Sequence, residues 1–355
     1  VGKAVIEIAA MPPFQLRALL VAAAGIPLSL LWDYSWESTV GIDYLWAAPH
    51  ALGYAAVLVA GFLAGMAIRR KASAGVGIWR WEAPLGAWVV LWGAVVFLAA
   101  FFFDRWWQSA YGLAAGIWHP PQILKAAAFF AVLIGTYLVS PARERAVAGG
   151  ALLLMMFVTT LAASFANRQH GPAFYEIGCG VYLPVLVVLA VGGGAFGATR
   201  AAAVYVLLGA LAVWVLPLIR GEPLSAPIFN PRDHLLPPPF PLLLPLPALV
   251  IDWSLRNRER AFGWADAVEV GLGFALAFGL TQWVFSGFLL STAADHWVFG
   301  GGGKQWPFFL QIAADAKTAF WVNEGNGFSV LAFGLALVCA RAGLWVASGV
   351  RGLRR

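Results

Sequence analysis

An all-α, polytopic integral membrane helical bundle of about ten transmembrane helices is the fold class that three observations predict. Hydrophobic residues make up 61% of the 355 residues and charged residues only 11%, against about a quarter charged in soluble domains. A soluble chain of this length cannot hide that much apolar surface. The apolar residues also gather into stretches of about 20, the length that crosses a bilayer as a helix. Finally, Arg and Lys recur in alternate gaps between those stretches, the pattern that orients membrane spans.

Taken in order, spans are expected near 14–32, 49–68, 83–103, 120–139, 147–166, 174–196, 201–219, 238–255, 265–291 and 327–348. The sixth and ninth are long enough to tilt or to extend past the hydrocarbon. The first is interrupted by Pro27 and lacks a small-x-small cleavage pattern, so it reads as a span rather than a removable leader. Arg69, Arg70, Lys71 and Arg80 mark one side of the bilayer. With alternating spans, the same side receives Arg143 and Arg145, Arg200, Arg256, Arg258 and Arg260, and Arg351, Arg354 and Arg355. The expectation is a multi-pass protein of the cell inner (cytoplasmic) membrane with both termini cytoplasmic.

This topology sends all five histidines (His50, His119, His170, His234 and His296) to the opposite side. Asp33, Glu37, Asp43, Asp104, Asp233 and Asp295 go with them. The irregular sequence collects there too, in loops at 220–237 and 292–326. Prolines at 237, 238, 239 and 241 predict a rigid extended entry to the eighth span. Within 292–326, Trp306–Trp321 suits an interfacial helix with Asp315 and Lys317 toward water. The 18 Trp fit aromatic belts. The net charge of +6 is explained by the loop Arg and Lys, so the lipid bilayer is the expected partner and nucleic acid is not. Cys179 and Cys339 fall in different spans, toward opposite faces, so neither a disulfide nor a cysteine metal motif is expected.

Two domains follow. Residues 1–140 form a duplicated region, with repeats over about 14–69 and 83–140, and residues 141–355 form a C-terminal bundle. The duplication rests on Asp33-x-x-Trp36-Glu37-x-x-x-Gly41 followed by Trp46 and Pro49. Its counterpart is Asp104-x-x-Trp107-Gln108-x-x-x-Gly112 followed by Trp118 and Pro121, with Leu52 and Leu124 three residues past each proline. In the first copy Asp33 and Glu37 lie one above the other on a helix face. Pro49 suits the first turn of the helix that would present His50. Two carboxylates and an imidazole at neighbouring helix ends make a candidate metal site: Asp33, Glu37 and His50.

At these residues the chain resembles the C subunit of the copper membrane monooxygenases, which act on methane or ammonia. That family carries Asp-x3-His-x12-His with a Trp before the first His and a Pro-Ser-His ending. Its three ligands form a copper site near the outer membrane face. The matching positions here are Asp33, Glu37 and His50, with Trp36 before Glu37 and Ala48-Pro49-His50 at the end; Asp43 matches a further acidic position. The match covers about eighteen residues directly and leaves the last six spans unaccounted for. The chain also looks similar to uncharacterised bacterial multi-span proteins with a duplicated Trp-His…Pro-Pro-His motif. The resemblance implies a divalent metal, copper by family, and other membrane subunits as partners. Glu37 stands where the family has His, and carboxylates suit harder ions, so zinc, iron or manganese remain candidates. The second copy offers Asp104, Gln108 and Pro121, with His119 displaced, and is expected to hold no metal.

Elsewhere, Lys125 is expected to snorkel outward and Glu176 to face the outer polar cluster. Asp252, Asp266 and Glu269 are expected to make interfacial ion pairs with Arg256, Arg258 and Arg260. The histidines sit at span ends or in loops, which argues against haem ligation. Three function classes stay open: a monooxygenase-like or metal-handling subunit, a non-catalytic structural subunit of a larger redox complex with a degenerate site, and a transporter.

Overall fold

The structure, a computed structural model, describes residues 11–39, 46–73, 85–112, 119–166, 172–194, 196–215, 241–256, 258, 260–289 and 328–352. Among them every regular element is helical. In chain order these are α1 (Pro13–Thr39), α2 (Ala48–Ser73), α3 (Leu85–Tyr111), α4 (Pro120–Val139), α5 (Arg145–Ala166) and α6 (Pro172–Ile177). A π-helical turn (Gly178–Tyr182) follows, then α7 (Leu183–Gly193), α8 (Gly197–Val215), α9 (Pro245–Leu255), α10 (Trp264–Leu289) and α11 (Phe328–Gly352). Each overlaps one of the ten expected spans, α6 to α7 forming a single rod. Seven stretches are long and apolar enough to cross a bilayer: Pro13–Trp36, Ala48–Arg70, Leu85–Tyr111, Pro120–Val139, Tyr175–Gly193, Trp264–Gln282 and Leu331–Gly349. Shorter apolar stretches lie in α5, α8 and α9. Large apolar side chains such as Phe62, Phe102, Leu207 and Leu280 are two-thirds exposed, the surface that a lipid-facing helix presents. The loops at 220–237 and 292–326 lie outside the described residues.

The chain divides into two compact units, residues 1–36 with 43–155, and residues 37–42 with 156–355. In the first unit, prolines open the helices: Pro13 begins α1, Pro49 is the second residue of α2, and Pro120 and Pro121 begin α4. Proline's fixed φ suits the first turn, where its missing N–H costs nothing. Lipid is as apolar as leucine, so helices here associate by close van der Waals contact rather than by the hydrophobic effect. Glycine provides that contact. A Cβ on Gly86 would lie 2.6 Å from the Gly135 carbonyl oxygen, and one on Gly135 would lie 2.6 Å from that of Gly86. Gly61 meets Ala94 equally closely between α2 and α3. At one end of the α1–α2 pair, Gln15 Nε2 donates to Leu63 O at 2.5 Å, and Arg70 Nη1 donates to Gln15 Oε1 at 2.7 Å.

In the second unit, the rod from α6 to α7 carries Pro184 in its interior. Proline removes one helical donor and its ring crowds the preceding turn. The chain responds with the π turn, in which Leu183 N–H bonds to Gly178 O, five residues back. Gly178 is pressed by the Phe278 ring of α10, leaving no room for a Cβ. Gly343 of α11 packs on Pro184, and Gly271 of α10 packs on the Ala336 carbonyl. The buried hydroxyls of Thr160, Tyr182 and Tyr205 close a ring, with O···O distances of 2.5, 3.0 and 2.9 Å. Polar groups away from water require such internal partners.

Two sequence expectations change here and one holds. Asp252 makes no ion pair among the described residues. Its carboxylate accepts from Ala198 N at 3.0 Å, Thr199 N at 2.8 Å and Thr199 Oγ1 at 2.6 Å, capping the N-terminus of α8. Asp266 and Glu269 do pair with Arg258, and Asp266 also receives Arg260 and the Gly263 N–H. Cys179 and Cys339 are both free thiols. They lie within electrostatic range of each other rather than toward opposite faces, because the packing sets Gly180 beside Leu335 and Pro184 beside Gly343.

Candidate functional site

In both repeats a carboxylate toward the end of the first helix meets the helix that follows. In the first, Asp33 occupies the last third of α1, and Pro49 sets up the turn of α2 that carries His50. Gly53 lets α2 close on Ser29 of α1, a Cβ there lying 2.9 Å from Ser29 Oγ. That approach brings His50 Nε2 to 3.1 Å from Asp33 Oδ1. The two side chains are 28% and 20% exposed, shielded yet reachable. The atoms are close without the alignment of a hydrogen bond, although Asp33 Oδ1 is fully covered. Tyr54 stacks on the imidazole with centroids 6.0 Å apart, and itself contacts Trp46, Phe97 and Phe101. An aromatic wall thus backs the pair.

The second repeat uses different chemistry at the same end of the unit. The contacts of Tyr54 with Phe97 and Phe101 bring the His50 end of α2 beside the Asp104 end of α3. Asp104 Oδ2 accepts from Lys125 Nζ at 2.9 Å and from Gln108 Nε2 at 3.1 Å. Lys125 therefore turns inward to a carboxylate instead of snorkelling outward. His119 precedes α4 in an extended conformation and lies against Trp107, ring centroids 6.2 Å apart. Trp106, Trp107 and Tyr111 complete a dense aromatic cluster there.

Of the three expected ligands, the structure brings Asp33 and His50 together. Glu37 lies in α1 one turn beyond Asp33, but its side chain is outside the described residues, as is Asp43. His170, His234 and His296 are outside them too. Among the described residues no three His, Cys, Asp or Glu side chains converge.

Family models, curated proteins and solved structures return no match to this chain. What the site can do is therefore argued from its own atoms. A carboxylate oxygen and an imidazole nitrogen side by side are two donors to one metal. Ligands at about 2.1 Å from an ion are about 3.0 Å apart at a right angle and about 3.4 Å apart at a tetrahedral angle. The 3.1 Å separation of Asp33 Oδ1 and His50 Nε2 falls in that interval. In the second repeat an ammonium occupies the carboxylate, so a cation is already supplied by the chain.

Sequence reasoning missed Lys125 because its role depends on reach. The residue aligned with His50 is Pro121, and the lysine starts one turn deeper in α4. It also missed Gln282, which is buried at 0% exposure; Glu176, expected to face the outer polar cluster, is buried too, at 7%. The signal for Gln282 was its type: an amide in the middle of Thr281-Gln282-Trp283 within an apolar span.

Proposed function

We propose that this chain is a membrane subunit of the copper-monooxygenase C-subunit type, holding one divalent metal ion at Asp33 and His50. Glu37 would be the third ligand. The observation that carries the reading is the meeting of Asp33 and His50 from two helices, at a separation suited to shared coordination. The basic-loop pattern supports placement in the cell inner membrane, both termini cytoplasmic and the site on the outer face. Bound metal would supply Lewis-acid or redox chemistry at that face. The chain's own part is to hold two donors in place and to back them with Tyr54. One carboxylate in place of the family's His favours a harder ion than copper(I).

The test is metal stoichiometry by elemental analysis on protein purified in detergent without chelator. About one metal per chain is expected, lost in His50→Ala and in Asp33→Ala. Wild-type protein free of metal would overturn the reading.

A second reading rests on the other repeat. Asp104 and Lys125 form a plain ion pair where the first repeat has Asp33 and His50, so both carboxylates can serve as clamps between consecutive helices. On this reading the chain is a structural subunit of a larger membrane redox complex. It predicts no metal, a loss of thermal stability in His50→Ala, and redox subunits that co-purify.

A further inference from the structure

The second unit contains buried polar groups that no ion pair, cap or hydroxyl ring accounts for. Gln282 of α10 is fully buried, and among the described residues neither its amide oxygen nor its amide nitrogen has a hydrogen-bond partner. Leaving both ends of an amide unsatisfied away from water is costly, about 1–3 kcal/mol for each group. Native proteins seldom accept that cost without a use for the group. Glu176 of α6 is the second such residue. It is 7% exposed and makes no hydrogen bond or ion pair among the described residues. An ionisable side chain within a span is a functional-site candidate by default.

The packing sets these two residues level. Phe278 of α10 lies against Gly178 and has its ring 6.1 Å from that of Tyr175. Seven residues earlier in α10, Gly271 lies against Ala336 of α11. Leu335, next to Ala336, is in turn the neighbour of Gly180. The helix α10 thus climbs toward the start of α6, antiparallel to it. Gln282 is one turn beyond Phe278 on the same face, which brings it to the height of Tyr175 and Glu176. On α6 itself, Glu176 lies within electrostatic range of Cys179. The π turn directly follows, and such turns concentrate at functional sites.

We propose that Glu176 and Gln282 form an intramembrane site for a single monovalent cation, either a proton or an alkali ion. One carboxylate balances one positive charge, and the carboxyl and amide oxygens are hard donors that suit such ions. A divalent ion would leave a net charge in an apolar surround, which is expensive. The other titratable groups about Glu176 are Tyr175, Cys179 and Tyr182 on its own rod, and Cys339 of α11 lies within electrostatic range of Cys179. The described outer half of α10 (276–289) carries no charged residue, and neither do residues 331–340 of α11. No lysine or arginine on these segments therefore competes for the carboxylate. The site is separate from Asp33 and His50 and does not depend on that assignment.

The experiment is carbodiimide labelling of the wild-type chain in its membranes, with the modified residue located by peptide mass spectrometry. Dicyclohexylcarbodiimide reacts with protonated carboxyl groups in apolar surroundings. Glu176 is expected to label, and less so as pH rises. Protection by sodium or potassium at constant pH assigns an alkali ion, whereas dependence on pH alone assigns the proton. Gln282→Leu is expected to move the sodium requirement or the proton concentration at half-labelling about tenfold, and Glu176→Gln to abolish labelling. Absence of labelling at every pH, labelling indifferent to both pH and salt, or an unchanged profile in Gln282→Leu would overturn the proposal.

Discussion

At the scale of single residues, the same problem is solved twice with different side chains. Asp33 and Asp104 each lie toward the end of a long apolar helix, and a shielded carboxylate there must meet something positive or something that donates. His50 meets the first from the opening turn of α2. Lys125 meets the second from a full turn deeper in α4, its long stem covering the distance. The meeting of Asp33 and His50 was legible in the sequence because Asp33 lies toward the end of one apolar run and Pro49 marks the start of the next. The Asp104–Lys125 pair was not, because a flexible side chain can reach its partner from several registers. Asp104 is 8% exposed, and removing one partner of a buried pair costs more than removing both. Lys125→Met is expected to destabilise the first unit by about 3 kcal/mol, with Asp104→Asn in the same chain restoring most of the loss. Thermal unfolding in detergent measures both. Simple addition of the two single losses would show that the residues act independently.

At the scale of elements, helix positions were legible and helix contacts were not. The apolar runs predicted α4 at 120–139, where it is found, whereas α1 and α3 run on to Thr39 and Tyr111, past the expected ends at 32 and 103. Composition cannot say which glycines face a neighbour, because in lipid an apolar face and a contact face look alike. Gly86 and Gly135 belong to the contact between α3 and α4, whereas Gly334 of α11 has nothing within 4 Å of an added Cβ. Gly135→Val is therefore expected to cost about 2 kcal/mol by forcing the pair apart. Gly334→Ala should be neutral or gain about 0.5–1 kcal/mol from helix propensity. Thermal midpoints of the two variants in the same detergent decide the matter, and equal shifts would contradict the packing described. The π turn belongs to this scale as well. Pro184 announces a break in the rod, but only Phe278, seated on Gly178, shows which side of the helix the break serves.

At the scale of the whole molecule, the alternation of basic loops predicts the sidedness of the first unit. Arg70 and His119 lie at opposite ends of its helices. Cysteines placed at these positions should react with a membrane-impermeant maleimide from opposite sides, Arg70→Cys from the cytoplasmic one. Reaction of both from one side would refute the topology. The sequence by itself determined the all-α polytopic architecture and the helix positions, since hydropathy and charge are properties of each segment alone. It also determined which residues of the first repeat are candidates for a site, since spacing along a helix is local. Only the tertiary structure decided which polar side chains have partners. It brought Asp33 to His50 and gave Asp104 to Lys125, and it turned Asp252 from an expected ion pair into a helix cap. It also left Gln282 in the interior without a hydrogen bond among the described residues. Those outcomes depend on which helices adjoin and at what height, and that is set by close packing at glycines such as Gly53, Gly86 and Gly135.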